Sequence, residues 1–415
     1  MSSIRPDISA PSSRATDGGA PDAATPRTHK LVQRISVPFE YPVYFTADAF
    51  STDNAVLADA IARVEPERRH RVYAIVDDGV ARAWPHIGDA IAGYAYRHRE
   101  RMELVAPARV MQGGERAKTS DQAVTALQRT LYESSIDRQS VVVIVGGGAL
   151  QDMAGYAAAT THRGVRVVRV PTTVASQNDS GVGVKNGINA FGVKNFLGTF
   201  SPPFAVINDI EFIATLPVRD RIAGISEAVK VALIRDPGFF EWLDASHRDL
   251  AAFERAATET MIRRGAELHL RHIAEAGDPF ELGSARPLDF GHWCAHKLES
   301  LTDYELRHGE AVAIGLALDS RYMVEIDMLD RNDCERICRL LEKLGFDLWH
   351  RALSERDATG RLWVLDGLAE FREHLGGELT LTMLTGIGEP VDLHHVDESR
   401  IEAAIQWLSR RHDAR

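Results

Sequence analysis

The sequence is poor in cysteine, has no long apolar run and carries no excess of positive charge. Its 415 residues include three cysteines, which excludes a disulfide scaffold and fits a reducing compartment. No uninterrupted apolar run approaches the roughly 20 residues that span a bilayer, and the N-terminus lacks the charged-then-apolar pattern of a secretory signal peptide. The net charge of −11 argues against nucleic acid or an anionic membrane as a partner. We therefore expect a soluble cytoplasmic protein.

The first half of the chain has the pattern of an α/β domain. Residues 1–28 are almost entirely small or polar and predict a disordered tail. Residues 31–46, which include two prolines, predict edge strands. Apolar β-branched runs then alternate with helical segments, which indicates a parallel sheet covered on both faces. The runs lie at 72–76, 141–145, 165–170 and 205–207, and the helical segments include 55–64 and 122–134.

Amphipathic helical segments dominate after residue 215. They are predicted at 222–235, 258–276, 291–302, 308–323, 333–344 and 398–411, with one late strand at 378–384. We therefore place a domain boundary there, with an α/β domain at 29–215 and an α-helical domain at 216–415. A binding cleft is expected between the two.

One buried strand runs into three glycines and a helix. Gly146, Gly147 and Gly148 follow the strand, and the helix is predicted at 149–160. Glycines let a phosphate approach the backbone, and the helix N-terminus offers free N–H groups. Gln151 stands where the G-x-G-x-x-G pattern needs its third glycine, so a plain tight turn remains an alternative. Asp77, at the end of an earlier strand, could bind a ribose hydroxyl or simply cap a turn.

The segment 170–200 is unusually polar for a connection between buried strands. Lysines spaced among glycines can bind a phosphate or a carboxylate, and an aspartate can hold sugar hydroxyls. The segment therefore predicts a substrate or cofactor loop, with a solvated connection as the alternative. Its polar residues include Thr172, Thr173, Asn178, Asp179, Lys185, Lys194 and Asn195.

A carboxylate and several histidines suggest a metal site. Glu227 lies three residues before Lys230, His292 lies four before His296, and His308 begins the next predicted helix. One carboxylate with two imidazoles and an open position is a common catalytic zinc set. The spacing does not decide whether both histidines of the first pair bind metal. A glutamate would follow the first histidine in a zinc protease, and tryptophan stands there instead.

Seven motifs in order resemble those of the sugar-phosphate cyclases, the family that includes 3-dehydroquinate synthase. They extend the resemblance over residues 70 to 390 or so. It implies a Rossmann-like parallel-sheet domain that binds NAD, an α-helical domain that binds metal and substrate, and a homodimer. The motifs are GGER-AK (113–118), GGGALQDMAGY (146–156), PTT…D…K…KN (171–195), TLP (215–217), SEAVK (226–230), GHWCAH (291–296) and HGEAVAIG (308–315).

The resemblance also implies roles for individual residues. Arg163 would reach the neighbouring subunit's site, and cobalt could replace zinc. The implied zinc ligands are Glu227, His292 and His308, and the implied catalytic residues are Lys185, Lys230, Asp179 and His296. The substrate residues would be Asn195, Arg271, Arg286, Asp289 and Arg163. The NAD contacts would be Asp77, Glu115, Lys118, Gly147, Gly148, Asp152, Thr172, Thr173, Lys194, Thr215 and Leu216.

The implied reaction is a carbon–oxygen lyase reaction on 3-deoxy-arabino-heptulosonate 7-phosphate. Transient oxidation by NAD makes a neighbouring C–H acidic, phosphate is eliminated, the hydride returns and the ring closes. Zinc polarises the oxygen that is oxidised.

Three departures from the family pattern leave the substrate open. Arg271 stands for an expected lysine, Asp289 for an asparagine, and Phe371-Arg372-Glu373 for Asp-Lys-Lys. His296 agrees with 3-dehydroquinate synthase, whereas cyclases acting on sedoheptulose 7-phosphate generally carry proline there. A sedoheptulose 7-phosphate cyclase of the 2-epi-5-epi-valiolone synthase kind is therefore the first alternative. A metal-dependent glycerol or glycerol-phosphate dehydrogenase and a non-catalytic binding protein are the others.

Overall fold

The structure, a computed structural model, describes residues 30–191, 193–275, 277–281, 287–374 and 377–415. The tail predicted at 1–28 and the predicted substrate residue Arg286 lie outside these residues. The described strands are β1 (Val43–Thr46), β2 (His70–Asp77), β3 (Met102–Leu104), β4 (Arg109–Met111), β5 (Val141–Gly146), β6 (Arg166–Pro171), β7 (Lys185–Ala190), β8 (Val193–Phe200), β9 (Ala205–Asp209), β10 (Leu381–Gly386) and β11 (Glu389–Leu393).

Seven of these strands form one parallel sheet. Its order is β1-β9-β6-β5-β2-β3, and β4 pairs with the last residues of β2. The continuous apolar runs arise because successive side chains point to opposite faces. In β5, for example, Val141, Val143 and Val145 enter one core, while Val142 and Ile144 enter the other. The predicted parallel sheet covered on both faces is confirmed, and of the edge strands predicted at 31–46 only β1 is present.

The helices cover the sheet and form the second half of the chain. In sequence order they are α1 (Val56–Ala62), α2 (Asp78–Ala83), α3 (Ile87–Arg97), α4 (Asp121–Glu133), α5 (Gly148–Thr160), α6 (Glu211–Ala214), α7 (Val218–Ala223), α8 (Ile225–Arg235), α9 (Pro237–Ala245), α10 (His247–Ala251), α11 (Arg255–Glu275), α12 (His292–Leu301), α13 (His308–Glu325), α14 (Arg331–Lys343), α15 (Asp366–His374) and α16 (Glu398–Asp413).

The single helix predicted at 222–235 is wrong, because Gly224 separates α7 from α8. A Cβ on Gly224 would lie 2.4 Å from Val174 Cβ and 2.5 Å from Ala175 N. The chain after β6 therefore passes against this point. Every residue from Ile225 to Ile234 is buried, which makes α8 the central helix of the second core.

The loop predicted at 170–200 is instead a short π-helical turn, Ser176–Ser180, and an antiparallel hairpin of β7 and β8. Its glycines allow close strands, since a Cβ on Gly187 would lie 2.9 Å from Leu197 O. Buried Arg169 of β6 anchors the segment by donating to the carbonyl oxygens of Gly183 and Lys185 at 2.8 and 3.0 Å. The predicted loop is thus an ordered turn followed by a strand pair.

Residues 41–415 form one compact unit, so the domain boundary at 215 stays a prediction. All strands of the parallel sheet precede it, and β10 and β11 pair with each other. In the described part of the chain no helix is long and apolar enough to cross a bilayer.

Candidate active site

A cavity of about 1380 Å³ opens at the C-terminal edge of the parallel sheet, between the strand ends and the helices after residue 211. Parallel strands bring their C-terminal ends to one edge, which is where ligands bind in such sheets. All the predicted NAD residues line this cavity: Asp77, Glu115, Lys118, Gly147, Gly148, Asp152, Thr172, Thr173, Lys194, Thr215 and Leu216. Lys185, Lys230, Asp179, His296, Asn195, Asp289, His292 and His308 line it as well.

The strand register explains why distant residues meet at this edge. Val76 pairs with Val145 and Gly146 pairs with Pro171, so Asp77, Gly147 and Thr172 lie at neighbouring strand ends. Helix α5 begins at Gly148, where a Cβ would lie 2.5 Å from Ser180 Oγ. Because glycine has no side chain, a pyrophosphate could approach the backbone N–H groups at this helix N-terminus.

Polar contacts hold the rest of this end in place. Asp77 accepts a hydrogen bond from Gly79 N at 2.7 Å, and burial raises the pKa of its carboxyl. Lys118 Nζ lies 2.7 Å from Asp152 Oδ2 and also donates to Asn195 Oδ1. The hairpin residue Asn195 is thereby tied to the edge of the sheet.

Glu227, His292 and His308 come together at the other end of the cavity, which the two histidines line. Glu227 lies in α8, His292 begins α12 and His308 begins α13. One potential ligand atom from each lies within 4.8 Å of the other two. His308 Nε2 is 3.2 Å and His292 Nε2 is 3.8 Å from Glu227 Oε1.

The hydrogen bonds of the two imidazoles point their Nε2 atoms toward Glu227. His292 Nδ1 donates to Phe290 O at 3.1 Å, and His308 Nδ1 donates to Glu299 Oε2 at 3.0 Å. Among the described residues, none donates a well-directed hydrogen bond to either oxygen of buried Glu227. Because both Nδ1 atoms carry the proton, both Nε2 atoms have a free lone pair. These two nitrogens and the Glu227 carboxylate form a ligand set that suits zinc.

The charges around this trio are closely coupled. Against the effect of burial, Lys230 holds the pKa of Glu227 down at about 2. Also against burial, Glu299 and Glu227 raise the pKa of His308 to about 9. Burial lowers the pKa of His292, so that imidazole is neutral and available as a ligand.

Lys230 and Asp179 link the trio to the rest of the cavity. Lys230 Nζ lies 2.6 Å from Glu227 Oε2 and 3.4 Å from Asp179 Oδ1. Asp179 Oδ1 also lies 2.8 Å from Nδ1 of His269. Although burial opposes it, Lys230 and His269 keep the pKa of Asp179 well below its usual range.

A further lysine lies in the same part of the cavity as the predicted substrate residues. Lys185 Nζ is 2.5 Å from Glu281 Oε1, and Asp289 together with Glu281 raises the pKa of Lys185 against the partial loss of solvation in the cavity. His296 lies beside the trio, with its ring centroid 5.4 Å from that of His292. Burial lowers the pKa of His296 well below its usual value.

Two predicted substrate residues lie away from this cavity. Arg163 is exposed in the turn after α5, and its predicted role in a neighbouring subunit stays a prediction. Arg271 is exposed, and the cavity is lined by His269, His272 and Ile273 of the same helix, so its predicted role in substrate binding stays a prediction. At 100° per residue, Arg271 projects from nearly the opposite side of α11.

Sequence reasoning missed two buried or half-buried side chains of the site. Glu299 follows His296 by three residues on α12, and that one-turn spacing was the available signal. His269 precedes Arg271 by two residues on α11, and only the phase of that helix would have indicated it. Both contact residues that had been predicted, namely His308 and Asp179.

Comparison with known proteins matches both halves of the chain. The family model for the N-terminal part of 3-dehydroquinate synthase matches residues 108–223, and that for the C-terminal part matches residues 224–363. The chain is 41% identical to 3-dehydroquinate synthase of Halorhodospira halophila over 288 residues, which cover 67% of this chain and 76% of that protein.

Relatives named 2-epi-5-epi-valiolone synthase are similar over more of the chain than the Halorhodospira halophila protein. A 2-epi-5-epi-valiolone synthase of Streptomyces glaucescens is 32% identical over 378 residues, or 89% of this chain and 92% of that protein. The solved 2-epi-5-epi-valiolone synthase of Streptomyces hygroscopicus, with NAD⁺ and Zn²⁺ bound, has a TM-score of 0.79 and 28% identity, covering 91% of this chain and 100% of that one. The protein described here therefore belongs to the sugar-phosphate cyclase family, as an enzyme related to 3-dehydroquinate synthase and 2-epi-5-epi-valiolone synthase.

Proposed function

We propose that this protein is an NAD- and zinc-dependent carbon–oxygen lyase that eliminates phosphate from a seven-carbon sugar phosphate and closes the product into a carbocycle. One observation supports this most: a single cavity joins the glycine-lined strand ends to His292 and His308, the two histidines that group with buried Glu227 as possible metal ligands. The solved relative with NAD⁺ and Zn²⁺ bound supports both cofactors. Cobalt, which prefers similar nitrogen and oxygen ligands, could replace zinc.

The cofactors would supply the redox chemistry. When bound, NAD⁺ would take a hydride from a secondary alcohol of the substrate and return it later, while zinc would polarise the oxygen of that carbon. The side chains of this protein would bind and orient. Asp77 would accept from a ribose hydroxyl, and the bare backbone at Gly147 and Gly148 would face the pyrophosphate.

The remaining polar residues would handle the phosphate and the developing negative charge. Lys185 and Asn195 line the cavity and would donate to the substrate's phosphate. Neutral His296 can donate one hydrogen bond and accept another, which suits a group that passes a proton to or from a phosphate oxygen. Lys230, held between two carboxylates, would stabilise an enolate oxygen, and Asp179 would accept from a sugar hydroxyl.

Two substrates are supported by different observations. The relative of 41% identity and the presence of His296 support 3-deoxy-arabino-heptulosonate 7-phosphate. The orientation of Arg271, which does not line the cavity, and the carboxylate of Asp289, which does, support sedoheptulose 7-phosphate. That sugar phosphate has no carboxylate to be held or repelled.

We also propose a homodimer in the cytoplasm, with Arg163 of one protomer serving the cavity of its partner. Arg163 is exposed at the turn after α5, so its side chain is available for such a contact.

A phosphate-release assay tests the proposed function. Purified full-length protein, loaded with zinc and NAD⁺, is given each of the two sugar phosphates separately, and the products are identified by mass. We expect phosphate release without net formation of NADH. Release from the first substrate alone would identify a 3-dehydroquinate synthase, and release from the second alone a sedoheptulose 7-phosphate cyclase.

The same assay separates the cyclase from a dehydrogenase of the same fold. A dehydrogenase would accumulate NADH in proportion to the substrate consumed and release no phosphate. His292→Ala serves as the control, since it removes a proposed zinc ligand and should abolish zinc binding and phosphate release together. Activity that survives in this variant without bound metal would contradict the zinc assignment.

A further inference from the structure

A buried carboxylate outside the proposed ligand set contacts one of its histidines. Glu299 is 2% exposed and lies in α12. Its Oε2 accepts from His308 Nδ1 at 3.0 Å. Both of its oxygens also accept from Lys194 Nζ, at 2.8 and 2.7 Å. Burying a carboxylate is costly unless it is paired and hydrogen-bonded, and Glu299 meets both conditions.

We propose that Glu299 is the positioning residue that fixes the tautomer and ring orientation of His308 for metal binding, and that Lys194 holds Glu299 in place. This inference rests on the proposed metal site. An imidazole that donates its Nδ1–H to an acceptor keeps the lone pair of Nε2 free for a metal. His308 Nε2 is the atom that faces Glu227, at 3.2 Å from Oε1.

The other proposed histidine ligand has an equivalent arrangement built from the backbone. His292 Nδ1 donates to the carbonyl oxygen of Phe290. His308, the first residue of its helix, donates instead to a carboxylate of α12. A side chain from the neighbouring helix therefore does for His308 what a carbonyl does for His292.

Glu299 is also close enough to act as a metal ligand itself. His296, Glu299 and His308 form a second group of possible ligands, which shares His308 with the first. The contacts of the two carboxylates distinguish them. Lys194 donates to both oxygens of Glu299. Lys230 lies near one oxygen of Glu227, at 2.6 Å from Oε2, and Oε1 faces the Nε2 atoms of both histidines. We therefore assign Glu227 as the metal ligand and Glu299 as the residue that positions His308.

Lys194 gives this arrangement a second consequence. It lies in β8 of the hairpin, next to Asn195, which binds Lys118 at the edge of the sheet. The resemblance to the cyclases implied that Lys194 contacts the cofactor. In this proposal its ammonium group serves the metal end of the cavity, where Glu299 and Glu115 keep its pKa above the usual value despite burial.

Zinc affinity measured with a competing chelator tests the proposal directly. Full-length wild type, Glu299→Ala, Glu299→Gln and Lys194→Met are compared, with Zn²⁺ as the only added ligand. We expect Glu299→Ala to bind zinc about 10- to 100-fold more weakly, the usual effect of losing such a partner. Glu299→Gln should lose less, since its amide oxygen can still accept from His308 Nδ1. Lys194→Met should fall between wild type and Glu299→Ala.

A matched control is a second carboxylate that pairs with α12, contributed by α15. Glu370 pairs with Lys297 of α12 at 2.6 Å, so Glu370→Gln removes a carboxylate from that helix's surroundings without touching the trio. Its zinc affinity should equal that of wild type. The visible spectrum of the Co²⁺-loaded protein supplies a second readout, because it reports the geometry of the ligands. The bands should shift in Glu299→Ala and stay in place in Glu370→Gln.

The outcomes are distinct. Unchanged zinc affinity and an unchanged cobalt spectrum in Glu299→Ala would overturn the proposal, as would equal losses in Glu299→Ala and Glu299→Gln. If Glu299→Ala does not fold, the comparison of Glu299→Gln and Lys194→Met with wild type decides. Failure of the wild type to bind zinc would instead refute the proposed metal site and the function built on it.

Discussion

Replacing Gly309 by alanine should separate His308 from the other two members of the trio. Gly309 is the second residue of α13, and a Cβ there would lie 1.7 Å from Ala223 O and 2.8 Å from Ser226 Oγ. The start of α13 therefore rests directly on the junction of α7 and α8. This contact brings His308 within 3.2 Å of Glu227.

The required movement can be worked out from this distance. A Cβ practically never lies within 3.0 Å of another heavy atom, so the gap of 1.7 Å must grow by at least 3.0 − 1.7 = 1.3 Å. Metal–ligand distances tolerate about 0.2 Å. His308 would then be too far to bind together with the other ligands. We expect Gly309→Ala to weaken zinc binding by more than about 100-fold, a larger loss than that of a supporting residue. Overpacking should also lower the free energy of unfolding by about 1–3 kcal/mol.

Chelator competition for zinc and urea unfolding of the same protein are the measurements. Gly93→Ala in α3 is the control, since nothing lies within 4 Å of a Cβ there. The control should keep its zinc affinity and gain about 0.5–1 kcal/mol of stability, as alanine usually does inside a helix. Zinc affinity within twofold of wild type in Gly309→Ala would refute the reasoning, because it would mean that the helix contact does not set the position of His308.

The remaining predictions concern charge. Lys230→Met leaves two buried carboxylates without their shared cation and should destabilise the metal-free protein by roughly 3–5 kcal/mol, measured by urea unfolding; zinc should reduce this loss. Because the pKa of His308 is raised to about 9, its contribution to the stability of the metal-free protein should be complete below pH of about 6.5 and decline as the pH rises through 9. Zinc must displace that proton, so its affinity should rise with pH over the same window. Asp289→Asn should raise dehydroquinate formation about tenfold by removing one negative charge, whereas Arg271→Lys should change nothing in the same assay.

The parallel sheet could be predicted because its strands are buried on both faces. A run such as 141–145 is apolar at every position, and a short run of β-branched residues is typical of a strand covered on both sides. The hairpin of β7 and β8 could not be predicted in the same way. Its glycines and polar residues are typical of a loop, and the reason that they form strands is the buried guanidinium of Arg169, which binds carbonyl oxygens up to 16 residues away along the chain.

The candidate site was predictable where a residue's chemical type limits its use. A carboxylate and several histidines suggest a metal site, the resemblance to the cyclases implied which three residues bind the metal, and the structure places Glu227, His292 and His308 together. Counting residues along the sequence does not predict which side of a helix a side chain lies on, so residues whose role depends on that side were not predictable. Arg271 was assigned by its spacing along the sequence, yet its helix turns it outward and presents His269 and His272 instead.

The same cavity shows why charge bears on the choice of substrate. Lys185 already contacts Glu281, Lys230 already contacts Asp179, and Asp289 adds a third carboxylate near both lysines. A phosphate can compete for these lysines, since it carries more charge than one carboxylate. A second anionic group on the substrate would lie near the carboxylates of Glu281, Asp179 and Asp289. In the described part of the cavity, Lys185 and Lys230 are already paired with carboxylates. Hydroxyl groups, by contrast, donate to carboxylates. The charge pattern therefore favours a sugar phosphate whose other groups are neutral, and a substrate that also bears a carboxylate must first displace one of these ion pairs.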